Sequence, residues 1–121
     1  MKVLVTGSRD WPYDKRHIIN RALINAGATI VIQGEQRGAD RLAKWEAIRR
    51  EIPVRGYPAD WTTYGNAAGP IRNQEMLDKE HTVEEPIDEV LAFPMEASVG
   101  TWDMVARAKR AGIPVTIIEG D

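Results

Sequence analysis

The sequence contains no cysteine among its 121 residues. Thiol catalysis, disulfide bonds and zinc sites with cysteine ligands are therefore excluded. The apolar runs are only a few residues long, whereas a membrane-spanning helix needs about 20. The apolar segment at the N-terminus is also too short for a secretory signal peptide. These absences favour a cytoplasmic enzyme or binding domain.

Neither sign of charge dominates the composition. Sixteen lysine and arginine residues stand against eighteen aspartate and glutamate residues, which gives a net charge of -2. A general nucleic-acid binder usually carries a basic excess. The hydrophobic and charged fractions are those of an ordinary globular protein. We therefore expect a single folded domain over residues 1–121, with neither a nucleic acid nor a membrane as partner.

Apolar segments with two different periods alternate along the chain. Short β-branched runs predict five strands, at residues 3–6, 29–32, 54–57, 90–93 and 115–118. Apolar residues at helical spacing predict four helices, at residues 18–26, 42–52, 70–79 and 101–111. The polar segment 80–87 is predicted to be a loop. In the second helix, the apolar face is predicted to consist of Leu42, Trp45, Ile48 and Ile52.

The predicted strands are continuous apolar runs rather than alternating patterns. Such runs are typical of a parallel sheet that is covered on both faces. Right-handed crossovers then predict a doubly wound, Rossmann-like α/β domain with a five-stranded parallel sheet and helices on both faces. We favour the strand order 3-2-1-4-5. It places Pro114 at the start of an edge strand, where its missing N–H does no harm.

Glycines, arginines and small polar residues cluster directly after the predicted strands. In an open parallel sheet these loops meet at the carboxyl edge, and ligands bind where the strand order reverses. With the favoured order, this point lies between the first and fourth strands. The residues expected to bind a ligand there are Gly7, Ser8, Arg9, Gly34, Arg37, Gly38, Asp40, Trp61, Arg72, Asn73, Pro94, Ser98, Gly100 and Thr101.

The chemistry of these loops suits an anion. Glycines let the backbone approach a ligand, and helix N-termini offer free N–H groups and a partial positive charge. Arginine adds bidentate contacts to phosphate, and we place Arg72 at the start of the third helix. Ser98 or Thr101 could cap the fourth helix, and Trp61 could stack on a nucleobase. The alternatives are ordinary turns, surface charges and an aromatic residue at the edge of the core.

Several familiar sites are absent or weakly indicated. The sequence has no Gly-x-x-x-x-Gly-Lys-Ser/Thr motif, which excludes a P-loop NTPase, and no full Gly-x-Gly-x-x-Gly follows the first strand. His17 and His81 lack ligand spacing, and we expect both at the surface. No metal site is predicted, although Asp40, Asp60 and Asp103 could form a carboxylate cluster for Mg²⁺ or for acid–base chemistry. Asp40 and Asp103 could equally serve the starts of their helices.

The loop motifs match a known family in order along nearly the whole chain. They are residues 6–11 (TGSRDW), 34–41 (GEQRGADR), 58–61 (PADW), 68–76 (AGPIRNQEM), 92–94 (AFP) and 98–104 (SVGTWDM). This set resembles the YspA (cpYpsA-related) family of the SLOG superfamily, whose members occur in bacteria and phages. The resemblance implies a Rossmann-like fold and a pocket for a nucleotide or a nucleotide-derived molecule, such as an ADP-ribose-like ligand. Relatives with this fold are commonly dimers or larger, so the resemblance leaves a homo-oligomer as one of the expected states.

The same superfamily contains the LOG phosphoribohydrolases, which cleave nucleoside monophosphates. Their motif is Pro-Gly-Gly-x-Gly-Thr-x-x-Glu, with an Arg-x-x-x-Met partner. The resemblance aligns Arg72 and Met76 with the partner motif and Thr101 with its threonine, but the catalytic glutamate falls at Met104. Methionine cannot transfer a proton, and the double glycine is also missing. Asp103 lies about 100° away around a helix and is a poor substitute.

Three functions remain after this comparison. The leading hypothesis is a sensor or sequestering protein that binds a nucleotide-derived ligand, with no certain cofactor. The alternative is a nucleotide N-glycosidase or phosphoribohydrolase that uses the same pocket. It would need one of four carboxylates as its acid–base residue, namely Asp10, Asp40, Asp60 or Asp103. The third is a DNA-binding module, which the net charge disfavours.

Overall fold

A five-stranded parallel sheet forms the centre of the protein in the computed structural model, which describes residues 1–120. The strands are β1 (Lys2–Gly7), β2 (Ile30–Gln33), β3 (Val54–Gly56), β4 (Glu89–Phe93) and β5 (Val115–Ile117). All neighbouring pairs are parallel, in the order β3-β2-β1-β4-β5. The strand order predicted from the sequence is therefore confirmed.

Helices cover both faces of this sheet. They are α1 (Arg16–Asn25), α2 (Ala39–Arg49), α3 (Trp61–Tyr64), α4 (Ala68–Glu80) and α5 (Val99–Arg110), with 3₁₀ turns at Tyr13–Lys15 and Gly65–Ala67. The helices α1 and α2 pack together on one face, and α4 packs with α5 on the other. The doubly wound, Rossmann-like fold is confirmed. Within residues 1–120 no helix is both long and apolar enough to span a membrane.

Strand β1 organises both halves of the core because its side chains alternate between the two faces. Val3 and Val5 point into the layer of α1 and α2, whereas Leu4 points into the layer of α4 and α5. All three side chains are fully buried. This double burial explains why the strand reads as a continuous apolar run in the sequence.

The face predicted for the second helix is wrong at Trp45 and Ile48, whereas Leu42 and Ile52 do pack against the core. Helix α2 turns Ala43 and Ala47 toward the core, and both are fully buried. Trp45 and Ile48 are 56% and 45% exposed. Because α2 packs against both α1 and the sheet, small side chains are the ones that fit at this contact.

The segment after β3 is more helical than the sequence indicates. The short helix α3 follows Asp60, its N-cap residue, whose Oδ1 accepts a hydrogen bond from the Thr63 backbone N–H at 3.0 Å. A 3₁₀ turn follows, and α4 begins at Ala68, ahead of the predicted start at Pro70. The extra turns carry Trp61 toward the carboxyl edge of the sheet, beside the loop that follows β2.

Candidate functional site

Two glycines allow the loop after β1 to pack against the start of α2. A Cβ atom at Gly7 would lie 2.5 Å from the Cβ of Ala39, and one at Gly38 would lie 2.6 Å from the backbone carbonyl of Arg9. Gly38 also has a φ of +84°, which residues with a side chain rarely adopt. The Ala39 N–H donates to the Ser8 carbonyl at 3.0 Å and fixes this contact. The result is a compact wall at the carboxyl edge.

A cleft of about 350 Å³ opens along this wall, between the ends of β1 and β4. It lies where the strand order reverses, as expected for this class of fold. Nine residues that the sequence assigned to ligand binding line it, namely Gly7, Ser8, Arg9, Asp40, Arg72, Asn73, Ser98, Gly100 and Thr101.

A second depression of about 370 Å³ adjoins the cleft, and Gln36 and Arg72 line both. Three further predicted residues line it, namely Gly34, Arg37 and Trp61. Trp61 is half-exposed, and Arg41 is a neighbour that the sequence analysis did not select. Arg37 also pairs with Asp10 of the cleft at 3.6 Å.

Two predicted residues lie outside both hollows. Gly38 supports the wall from behind, against Ser8 and Arg9. Pro94 lies in a different depression with Lys15 and Trp102. A role for either residue in ligand binding stays a prediction, as it does for the residues that line the cleft.

A larger hollow than the cleft lies elsewhere in the described part of the chain. It has a volume of about 530 Å³, and mainly apolar surface from α1, β4 and the end of β5 lines it. Ile18, Leu91 and Ile118 are typical of its walls. A helix N-terminus and a buried unpartnered polar atom both belong to the cleft instead. Because these features call for a polar ligand, the cleft is the better candidate.

The first turn of α5 opens into the cleft. The Ser98 hydroxyl accepts a hydrogen bond from the Met95 N–H at 2.7 Å, and no side chain caps the helix. Ser98 occupies the N-cap position of α5, but its side chain makes no capping hydrogen bond. Since the first N–H groups of a helix have no intrahelical partner, this end presents a partial positive charge to the cleft. Arg9 lines the same space, so the local chemistry suits an anion.

Arg72 is a buried residue rather than a charge at a loop edge. It lies one turn inside α4 and is only 8% exposed. Its Nη1 donates to the Gly34 carbonyl at 2.6 Å and to the Tyr57 carbonyl at 3.4 Å, and its Nε donates to Oδ1 of Asn73 at 2.9 Å. Burial lowers the pKa of the guanidinium, although nearby Asp40 opposes that shift. Arg72 thus joins α4 to the ends of β2 and β3.

Asp40 is the most unusual polar group in the cleft. It lies in the first turn of α2 and is 5% exposed. Its Oδ1 has no hydrogen-bond partner within residues 1–120. Burial raises the pKa of the carboxyl to about 7, although the charge of Arg72 and the backbone N–H groups of Gln36 and Gly34 oppose the shift. Gly34 leaves room for this arrangement, because a Cβ there would lie 2.9 Å from Oδ2 of Asp40.

The other carboxylates considered from the sequence have partners of their own. Asp60 caps α3, while Oδ2 of Asp103 accepts from Asn73 at 3.0 Å and from Arg107 at 2.9 Å. Hydrogen bonds lower the pKa of both groups, and burial opposes the shift at Asp103. Asp40, Asp60 and Asp103 do not form a cluster. Residues 1–120 contain no group of three or more metal-ligating side chains.

Sequence reasoning missed the residues that shape the loop after β2. Glu35 has a φ of +58°, which is uncommon for a residue other than glycine. The Gln33 side chain supports it, because Oε1 accepts from the Glu35 N–H at 2.6 Å and Nε2 donates to Oε2 of Glu35 at 2.9 Å. This turn places Gln36 against the cleft. The available signal in the sequence was a glutamine, Gln33, at the end of an apolar strand. In the structure its side chain is fully buried.

Comparison with known sequences identifies the family. Residues 1–64 match the sequence model described as "YspA, cpYpsA-related SLOG family". The chain belongs to this family. It is also 37% identical over 124 residues to the Gene 61 protein of Mycobacterium phage D29, across 94% of this chain and 93% of that protein. Membership of the SLOG family suggests the binding of a nucleotide-related ligand.

A solved structure supports the fold. DNA processing protein A from Streptococcus pneumoniae superposes with a TM-score of 0.54 at 14% identity. The match covers 95% of this chain but only 58% of the other, so this chain spans little more than half of that protein. The likeness confirms the Rossmann-like fold. The expectation of a single domain over residues 1–121 stays a prediction.

We expect Arg72→Ala to destabilise the fold. The buried guanidinium donates hydrogen bonds to two backbone carbonyls and to Asn73. Its loss should lower the free energy of unfolding by about 3 kcal/mol, measured by urea denaturation. Arg110→Ala, at the exposed end of α5, is the control and should change stability by less than about 0.5 kcal/mol. An Arg72→Ala protein as stable as the control would contradict this role.

Asp40 should make stability fall as pH rises. In the unfolded chain the carboxyl loses its proton near its ordinary pKa of 3.8, whereas burial raises its pKa in the folded protein to about 7. The folded state therefore binds more protons between these values, and its stability decreases with increasing pH. Denaturation of wild type and Asp40→Asn across this range should show wild type losing stability relative to the variant. Asp14→Asn, at an exposed position, is the control and should follow the pH dependence of wild type. If the difference in unfolding free energy between wild type and Asp40→Asn does not change with pH, or changes in the opposite direction, the assignment is refuted.

Proposed function

We propose that the protein binds a nucleotide or a nucleotide-derived small molecule, with ADP-ribose-like ligands included, at the carboxyl edge of its sheet. In this proposal it acts as a sensor or a sequestering protein. The observation that carries the proposal is that the uncapped first turn of α5 opens into the same cleft as Arg9. A helix N-terminus with an arginine opposite is suited to a phosphate group.

The first turn of α5 has room for the phosphate. A Cβ at Gly100 would meet nothing within 4 Å, so the backbone there faces open space. Thr101 lines the same cleft and can add a hydroxyl contact. The cleft volume of about 350 Å³ lies at the lower end of the usual range for small-molecule sites.

The adjoining depression suits the remainder of a nucleotide. Half-exposed Trp61 lies there with Arg37 and Arg41. An indole face can stack on a nucleobase, and arginines can contact a second phosphate or a ribose. Because Gln36 and Arg72 border both hollows, one ligand could extend from α5 to Trp61. We therefore propose phosphate binding in the cleft and base stacking in the adjoining depression.

The proposal is for a cytoplasmic protein whose partner is a small molecule. It requires neither a nucleic acid nor a membrane, and it includes no cofactor. Self-association and any need for Mg²⁺ are left to experiment.

Hydrolysis of a nucleotide in this cleft is the second candidate function. Of the four carboxylates considered for it, Asp10 and Asp40 line the cleft. The position of the LOG glutamate does not favour the hydrolase, because Met104 is fully buried in the core beside α4. It offers no group for proton transfer, so we prefer the binding function.

Calorimetric titration with AMP and ADP-ribose tests the binding proposal. Arg9→Ala removes a charge-assisted contact and should weaken binding by about 1.5–3 kcal/mol, which is tenfold or more. Thr101→Val removes one hydroxyl and should cost about 0.5–1.5 kcal/mol. Arg110→Ala, outside the cleft, should bind as wild type does. Equal affinity in all four proteins would remove the first turn of α5 and Arg9 from the site.

We expect no turnover of nucleoside monophosphates. General acid–base catalysis is worth about 10²–10⁴ in rate, and the LOG glutamate position holds Met104. AMP incubated with the protein should be recovered intact by chromatography, without free adenine or ribose 5-phosphate. Steady release of adenine that Asp40→Asn or Asp10→Asn abolishes would establish the enzyme instead.

A further inference from the structure

Asp40, a residue that lines the cleft, has one buried oxygen without a hydrogen-bond partner within residues 1–120. This oxygen is Oδ1. Buried carboxylate oxygens in proteins nearly always accept a hydrogen bond. An acceptor in a ligand site without a protein donor is suited to a donor on the ligand.

The surroundings of Asp40 hold it in this position. Its Oδ2 and the guanidinium of Arg72 both lie against Gly34, on the side where any other residue would carry a Cβ. Arg72 is itself fixed by the Gly34 carbonyl. Asp40 and Arg72 are both buried.

The neighbouring charge selects the kind of donor. A ligand ammonium group at Oδ1 would lie close to the buried cation of Arg72 and be repelled by it. A metal ion would need further carboxylates or histidines, and residues 1–120 offer no such group. A hydroxyl donates a hydrogen bond without bringing charge, so it is the donor that this position favours.

We propose that Asp40 accepts a hydrogen bond from a sugar hydroxyl of a ligand whose phosphate lies at the first turn of α5. The cleft thereby distinguishes sugar phosphates from other phosphorylated molecules. This inference rests on the proposed function, and it names the chemical class that the cleft reads. The recognised unit is a phosphorylated sugar such as ribose 5-phosphate, either alone or within a nucleotide.

The test compares ribose 5-phosphate with inorganic phosphate as titrants. Each is titrated into wild type, Asp40→Asn and the exposed control Asp14→Asn at about pH 8, where the Asp40 carboxyl is charged. Wild type and the control should bind ribose 5-phosphate at least about tenfold more tightly than phosphate. Asp40→Asn should lose about tenfold for ribose 5-phosphate, because a neutral amide replaces the charged acceptor. Its affinity for inorganic phosphate should stay the same or rise slightly.

The outcomes separate this inference from the proposed function. If Asp40→Asn keeps the full preference for ribose 5-phosphate over inorganic phosphate, or if wild type shows no such preference, Asp40 does not accept a hydrogen bond from a sugar hydroxyl. The proposed function would still stand if wild type binds AMP. If wild type binds neither AMP nor the two probes, the proposed function fails and this inference fails with it. If Asp40→Asn does not fold, Asp40→Ser takes its place, with folding confirmed by a thermal melt. The same loss of affinity for ribose 5-phosphate is expected.

Discussion

The carboxyl edge of the sheet depends on one buried arginine. Arg72 reaches from α4 to the carbonyl of Gly34 after β2 and to the carbonyl of Tyr57 after β3. A charged donor in such a place is costly to bury, so its partners must be held accurately. Asp40 lies across Gly34 and supplies the opposing charge. Arg72 also borders both hollows, so the geometry of the site and the packing of α4 are coupled.

The cleft is polar, whereas the hollow beside α1 is mainly apolar. Next to Arg72, Asp40 has one oxygen without a hydrogen-bond partner within residues 1–120, and the first turn of α5 has N–H groups that no side chain caps. Both features are unfavourable without a polar partner. In the hollow beside α1, apolar side chains such as Leu91 and Ile118 need no hydrogen-bond partner. A ligand that satisfies the cleft would therefore stabilise the fold as well as occupy the site.

Sequence patterns were sufficient for the sheet and for the position of the cleft. Continuous apolar strands and the glycines after them determine both, because they act through burial and loop geometry. The patterns failed where tertiary packing reverses the local signal. Helix α2 buries alanines and exposes Trp45, because contact with α1 and the sheet selects small residues. The burial of Arg72 could not be read from the chain, since its partners lie far away in sequence.

Mapping of AMP binding by backbone amide chemical shifts tests the central claim most directly, because it reports every part of the surface at once. The account places the phosphate at the first turn of α5. The largest shifts should therefore occur at the amides of Gly100 and Thr101 and in the loop that contains Arg9. Shifts confined to Ile18, Leu91 and Ile118 in the apolar hollow, with the first turn of α5 unchanged, would contradict it.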